Sequence, residues 1–227
     1  MERLLAVAEP DAARWPGVPR GVDVPLSVWA HALGFAELQQ ALVRDLSQRG
    51  DLVVTTLSAG WKQVPITGRR VVLLCRRQEV QAARTAWEGL DTSAQALSRV
   101  EPVTSENLST RLVNLAGSAQ LLTTDAATTR SEAFWSAART SLAPGGVVAV
   151  ACAGGNAAAH ARMIREAVSA GMAYVQHVIA TSAPVLDAAV SAWQRAIAAP
   201  IRRHRRAHLD VFLFTTPGTA PRRGEGR

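Results

Sequence analysis

The sequence has few residues of several types that usually carry chemistry. It holds two cysteines and five histidines in 227 residues, and Lys62 is the one lysine among 25 basic residues. Cys75 and Cys152 both lie in apolar, strand-like runs, where a buried reduced thiol is the expected state and a disulfide or metal ligand is not. His31 and His160 have no partner at metal-ligand spacing, so the sequence predicts no metal site.

Long hydrophobic runs are also lacking. No apolar run reaches the roughly 18 residues that a membrane span needs, and the start of the chain has neither the basic flank nor the apolar stretch of a secretion signal. We therefore expect a cytoplasmic protein without a membrane partner. With 48% hydrophobic residues, the chain can bury one sizeable core, which favours one domain and allows two at most.

The positive charge is concentrated near the end of the chain. The formal net charge is +7, and residues 201–227 hold seven arginines against Asp210 and Glu225, a net of +5. The four residues Arg202, Arg203, Arg205 and Arg206, here called the arginine cluster, are candidates for contacts with nucleic-acid phosphates. The alternative is that these arginines form a solvated connector. Lysine is nearly absent, which is typical of GC-rich coding, so the high pI is weak evidence for DNA binding.

Strand-like and helix-like segments alternate between these ends. Residues 1–30 are rich in proline and predicted to be extended, residues 31–216 to form one α/β domain, and residues 217–227 to be a disordered basic tail. The apolar pattern predicts strands at 52–57, 70–75, 98–103, 119–124, 147–152, 173–181 and 208–215, with helices at 35–48, 78–88, 131–142, 157–170 and 183–199. Such alternation implies a largely parallel sheet covered on both faces, and the long charged connection before the last strand indicates an antiparallel final strand.

The first strand and turn, GDLVVTTLSAGW at 50–61, have the form of a nucleotide-binding motif without its binding residues. Such a turn normally carries two or three glycines, and the second strand ends in an acidic residue that binds a ribose hydroxyl. Here the turn retains Gly60, and the second strand ends with Cys75, Arg76 and Arg77.

Five segments in order resemble the DNA methyltransferases that use S-adenosylmethionine to methylate exocyclic amino groups, and among them the actinobacterial DNA-methylase-like proteins. The segments are PLSVWA at 25–30, GDLVV at 50–54, FWSAARTSLAPGGVVAVA at 134–151, GMAYVQHVIATSAPV at 171–185 and RAHLDVFLFT at 206–215. The resemblance covers about residues 22–216. It implies a Rossmann-like methyltransferase fold, with a seven-stranded, mainly parallel sheet, helices on both faces and an antiparallel last strand.

The resemblance also locates a cofactor site that the chain has altered. Active relatives have aspartate-proline and a glycine-rich turn where this chain has Thr55 and Thr56 followed by Leu57-Ser58-Ala59-Gly60-Trp61, and Trp61 would fill the cofactor cleft. The ribose carboxylate falls near Cys75 or Arg76. The vestigial cofactor positions are thus Thr55, Ser58, Gly60 and Cys75, and no bound cofactor is expected unless the protein is active, in which case it is S-adenosylmethionine.

The catalytic motif of the resembled family is missing as well. Amino-methyltransferases end their fourth strand with Asn, Asp or Ser, two prolines and an aromatic residue that stacks on the flipped base. Here that strand ends with Thr124 and Asp125, and Ala126 and Ala127 follow, without proline or aromatic. Asp125 is either a displaced amine acceptor or a turn residue before the next helix.

Three functions are consistent with these features. The leading hypothesis is a catalytically inactive methyltransferase-like protein that acts by binding DNA or a protein partner, such as an active methyltransferase. The second is a divergent but active DNA amino-methyltransferase, and the third is a scaffold without nucleic-acid affinity.

Overall fold

The computed structural model describes residues 26–29, 35–58, 68–153, 157–181 and 208–217. In these ranges the strands are β1 (Leu26–Trp29), β2 (Leu52–Thr55), β3 (Arg70–Arg76), β4 (Ser98–Val103), β5 (Ala119–Asp125), β6 (Leu142–Cys152), β7 (Ala173–Thr181) and β8 (His208–Thr215). The helices are α1 (Phe35–Leu46), α2 (Val80–Glu88), α3 (Thr92–Ala96), α4 (Leu108–Val113), α5 (Glu132–Ser141) and α6 (Ala157–Ser169), and a 3-10 turn (Arg77–Glu79) precedes α2.

The strands form a single sheet in the order β1-β7-β8-β6-β5-β2-β3-β4. All neighbouring pairs are parallel except those of β8, which runs antiparallel between β6 and β7. The α/β fold class and the antiparallel last strand predicted from the sequence are confirmed. The predicted count of seven strands is one short, because β1, which lies inside the segment predicted to be merely extended, pairs in parallel with β7.

Helices cover both faces of the sheet, and each face has its own core. One core packs α1 and α2, through residues such as Leu38 and Ala86, against the sheet. The other packs α4, α5 and α6, through residues such as Leu112 and Trp135. Because successive side chains of a strand point to opposite faces, neighbouring residues of β2 belong to different cores: Val53 to the first and Val54 to the second.

Short polar signals fix the ends of the helices. Ser131 accepts a hydrogen bond from the Phe134 backbone N–H at 3.2 Å and so begins α5, as a serine at the N-cap does.

Strand β6 starts at Leu142, five residues before the predicted start, and the Pro-Gly-Gly segment predicted as a turn lies inside it, with Gly145 at a φ of +76°. Helices α3 and α4 were not predicted, because five and six residues are too few to show a helical apolar period.

No helix in the described ranges is both long enough and apolar enough to cross a membrane. The helix predicted at 183–199 and most of the predicted tail lie outside the described residues.

Candidate ligand-binding site

A cavity of about 800 Å³ opens at the carboxyl edge of the sheet. Strands β2, β3, β4 and β5 are parallel neighbours, so their carboxyl ends meet at this edge, where open α/β sheets bind their ligands. The cavity is lined by residues 56–58 after β2, by Leu74 and residues 76–79 at the end of β3, by residues 103–105, 108 and 109 around the start of α4, and by residues 125, 127, 128, 130, 131 and 134 after β5. Its volume falls in the range of about 300–1,000 Å³ that is usual for small-molecule sites.

Two threonine hydroxyls join the central strands at the base of this cavity. Thr56 Oγ1 and Thr124 Oγ1 lie 2.8 Å apart, and the Thr56 backbone N–H donates to the Thr123 carbonyl at 2.9 Å. Thr124 is fully buried. The contact fixes the end of β2 against the end of β5, so the two places where the resembled family keeps its cofactor turn and its catalytic motif are held together.

Thr55, one of the vestigial cofactor positions, faces away from the cavity. Its hydroxyl accepts hydrogen bonds from Gln39 Nε2 of α1 at 2.9 Å and from the Leu57 backbone N–H at 3.0 Å. Both Gln39 and Thr55 are fully buried. Thr55 therefore connects β2 to α1 in the first core and does not line the ligand site.

The remaining vestigial positions divide between the cavity and the core. Ser58 lines the cavity, whereas Cys75 is buried in the core beside α1 and α2. Burial, and secondarily the negative charge of Glu79, raise the pKa of the Cys75 thiol. Gly60 and Trp61 lie outside the described residues, so whether Trp61 fills the cleft stays a prediction.

A carboxylate that the sequence analysis missed lies close to the expected ribose position. Glu79 lines the cavity three residues after the end of β3, and its Oε2 accepts a hydrogen bond from the Arg76 backbone N–H at 3.1 Å. Arg76 and Arg77 also line the cavity and are exposed. The sequence search placed the carboxylate at the strand end itself, and the 3-10 turn at 77–79 carries it further along the chain.

Asp125 lines the cavity at the end of β5, where its carboxylate closes a turn. Its Oδ1 accepts a hydrogen bond from the Thr128 backbone N–H at 2.7 Å, and its carbonyl accepts from the same N–H at 3.2 Å. The turn interpretation of this residue agrees with that geometry, although Ser131 and not Asp125 caps α5. The arginine cluster lies outside the described residues, so the structure does not place it relative to this site.

A second polar group lies on the other side of the sheet centre, between β7 and β8. His177 Nε2 and Asp210 Oδ1 are 3.1 Å apart, and the two side chains are 15% and 7% exposed. The His177 ring stacks on Phe212 with centroids 4.5 Å apart. No group of three or more His, Cys, Asp or Glu side chains suited to a metal ion occurs among the described residues. His177 and Asp210 are 33 positions apart in the sequence, so no local sequence pattern could reveal their contact.

No family model and no curated protein matches this sequence. Solved structures do. The glycopeptide N-methyltransferase MtfA, in complex with sinefungin, superimposes with a TM-score of 0.57 over 85% of this chain and 93% of its own, at 9% identity. The chain has the fold of S-adenosylmethionine-dependent methyltransferases.

Two further structures show how widely this fold is used. A TehB-like S-adenosylmethionine-dependent methyltransferase from Corynebacterium glutamicum matches with a TM-score of 0.51 over 78% of this chain and 86% of its own, at 11% identity. The [4+2]-cyclase SpnF matches with a TM-score of 0.53 over 83% of this chain and 86% of its own, at 9% identity. Because one of these proteins is named for a cyclisation, the fold alone does not assign methyl transfer to this chain.

The size and lining of the cavity can be compared with S-adenosylmethionine. Its volume is sufficient, Leu74, Leu108 and Phe134 give it an apolar part, and Glu79 can accept a hydrogen bond from a ribose hydroxyl. The charge is a poorer match, because three arginines and two carboxylates line a cavity that would hold a cofactor with a cationic sulfonium. The lining therefore suits the adenosine part of the cofactor, whereas its net positive charge does not favour a cationic ligand.

Proposed function

We propose that this protein is a methyltransferase-fold binding protein that holds an adenosine-containing ligand in the carboxyl-edge cavity and does not methylate amino groups. The observation that carries this proposal is the geometry of Asp125. Its carboxylate is the one acidic group at the end of β5, and the Thr128 backbone N–H occupies its Oδ1 at 2.7 Å.

Amino methylation needs more than a carboxylate near the cofactor. The target amine has to be oriented by acceptors as it attacks, and a flipped base has to be stacked against an aromatic side chain. Asp125 is followed by Ala126, Ala127 and Thr128, so this loop supplies no proline and no aromatic platform. The Asp125 carboxylate closes its own loop through Oδ1, and the missing prolines and aromatic residue support loss of the chemistry together with retention of the cavity.

Two measurements on the full chain test this proposal. Calorimetric titration with S-adenosylhomocysteine and with adenosine is expected to show binding of at least one of them. Incubation with methyl-labelled S-adenosylmethionine and mixed DNA oligonucleotides is expected to leave the DNA unlabelled. Time-dependent labelling of DNA would instead establish the divergent active methyltransferase, which remains the second candidate because Glu79 and Asp125 keep two carboxylates in the cavity.

The partner of the protein is proposed on separate grounds. The arginine cluster gives a concentrated charge for phosphate contacts, and DNA binding through it would weaken with salt. We expect substitution of Arg202, Arg203, Arg205 and Arg206 by alanine to abolish retention on DNA, and an unchanged affinity would instead favour a protein partner such as an active methyltransferase. The cytoplasmic location stays a prediction.

A further inference from the structure

We propose that the ligand of the carboxyl-edge cavity is a nucleotide that carries a phosphate on its ribose, and that Arg76 and Arg77 bind this phosphate. The inference rests on the proposed function, in which the cavity binds an adenosine-containing ligand without transferring a methyl group. It replaces the cationic cofactor of the fold by an anionic ligand.

More cationic than anionic side chains line the cavity. Arg76, Arg77 and Arg130 line it, all three are exposed, and no ion pair joins any of them to a carboxylate within the described ranges. The two carboxylates of the cavity, Glu79 and Asp125, each already accept a backbone N–H. The cationic groups that line the cavity are thus more numerous than the anionic ones, which favours a ligand with negative charge.

Two of these arginines lie at the end of β3 and at the start of the turn that follows it. Arg76 is the last residue of β3 and Arg77 begins the 3-10 turn, which is where nucleotide-binding folds of this type place the group that contacts the ribose. In such folds an acidic residue selects a free ribose hydroxyl, and an arginine at this place accommodates a phosphate attached to the ribose. The planar guanidinium matches the phosphate oxygens in a bidentate manner.

The neighbouring strand supplies the rest of a phosphate site. Arg76 pairs in register with Val103 of β4, so Thr104 and Ser105 follow directly beside the two arginines and line the same cavity. Ser105 is exposed, and its hydroxyl can donate to a phosphate oxygen. Leu74, Leu108 and Phe134 form the apolar part of the lining, at the edge of the second core.

The test is a set of calorimetric titrations of the full chain with matched probes. The probes are adenosine, adenosine 2′-phosphate, adenosine 3′-phosphate, adenosine 5′-phosphate and S-adenosylhomocysteine. We expect at least one phosphorylated probe to bind about tenfold or more tightly than both adenosine and S-adenosylhomocysteine, because hydrogen bonds from arginine to a phosphate are charge-assisted and stronger than neutral ones. The advantage should shrink as salt is raised.

Paired variants assign the effect to the proposed residues. The double variant R76Q/R77Q should lose the preference for the phosphorylated probe, so that the ratio of its affinities for that probe and for adenosine falls about tenfold. The control R162Q/R165Q removes the same charge from exposed positions of α6 that do not line the cavity, and it should bind as the unaltered protein does. If the double variant fails to give a folded protein, R77Q alone is expected to weaken the phosphorylated probe in the same direction.

The outcomes separate this inference from the proposed function. Tighter binding of S-adenosylhomocysteine than of every phosphorylated probe, or equal effects of R76Q/R77Q and R162Q/R165Q, would overturn the nucleotide assignment and leave a non-transferring binding protein. Binding of a DNA oligonucleotide through Arg76 and Arg77, without binding of the free nucleotides, would also overturn it. Methyl transfer to DNA would refute the proposed function itself.

Discussion

The paired residues Thr55 and Thr123 give the sharpest test of the packing beside the site. They are register partners on β2 and β5, and both are fully buried. Thr55 Oγ1 accepts two hydrogen bonds, from Gln39 and from the Leu57 backbone. Thr123 Oγ1 has no hydrogen-bond partner in the described part of the chain. One isosteric substitution, threonine to valine, should therefore have opposite effects at two adjacent positions.

The magnitudes follow from the groups left unpaired. In Thr55→Val, the Gln39 amide and the Leu57 N–H each lose a buried acceptor, at a cost of about 1–3 kcal/mol apiece, so we expect a loss on the order of 3 kcal/mol. In Thr123→Val, removing a buried unpaired hydroxyl without changing the side-chain shape should stabilise the fold by about 1 kcal/mol. A change of 1 kcal/mol moves Tm by about 2–4 °C for a chain of this size, which predicts a rise of about 2–4 °C for Thr123→Val and a fall of about 6–12 °C for Thr55→Val.

Thermal unfolding followed by circular dichroism, with urea unfolding at a fixed temperature, measures both variants. Thr123→Ser serves as the control, because it keeps the hydroxyl and removes the methyl group, and it should destabilise. A shift of the same sign in the two valine variants would refute the assignment of Thr55 as a bonded core residue and of Thr123 as an unpaired one.

Three other predictions concern separate parts of the chain. Burial, and then the charge of Asp210, raise the pKa of Tyr174, the one tyrosine, so spectrophotometric titration should show no tyrosinate in the folded protein at about pH 10, the usual pKa of a tyrosine. The free energy of unfolding should fall as the pH rises above that value, because only the unfolded chain then loses the proton. Gly146→Ala places a Cβ 2.6 Å from the Ala119 carbonyl oxygen and should lower the free energy of unfolding, measured in urea, by about 3 kcal/mol. Gly117→Ala meets no atom within 4 Å and should lower it by about 1–2 kcal/mol, because of its φ of +66° alone. Asp125→Ala removes the acceptor for the Thr128 N–H and should lower the free energy of unfolding in the same assay by about 1 kcal/mol, and Asp125→Asn, which keeps an acceptor oxygen, should lower it less. Equal losses in the two variants would contradict the role of Asp125 in the turn.

Much of the sheet was predictable because its strands carry their signal locally. The strands at 98–103, 173–181 and 208–215 have the predicted bounds, since each is a run with strand-forming residues between polar or turn segments. The antiparallel insertion of β8 was also predictable, because a long connection lets a strand reverse direction. Strand β1 was harder to predict, because its four residues follow a proline-rich segment and are ordered as a strand by pairing with β7.

The site was harder to predict because its contacts are set by register and by turns. Glu79 lies beside the ribose position only because a 3-10 turn follows β3, and the pair of His177 and Asp210 depends on the alignment of two distant strands. Thr55 and Thr56 are adjacent in sequence, yet one packs against α1 and the other lines the cavity. Side-chain alternation explains that division once the strand is placed, and the apolar pattern alone does not place it.

The two halves of the carboxyl edge can change independently, because different strands build them. In the proposed binding mode, Arg76, Glu79 and Ser105 of β3, the turn after it and the segment after β4 would contact the nucleoside end of a ligand, whereas Asp125 lies at the end of β5, where the resembled family has its amino-methylation motif. A change of motif at β5 therefore removes no residue from the other half, and the contact between Thr56 and Thr124 holds the two halves together. If the nucleotide proposal is correct, we expect that a prolyl motif introduced after Asp125 would not by itself give methyl transfer, because the arginines at the end of β3 would still favour an anionic ligand over the cationic methyl donor.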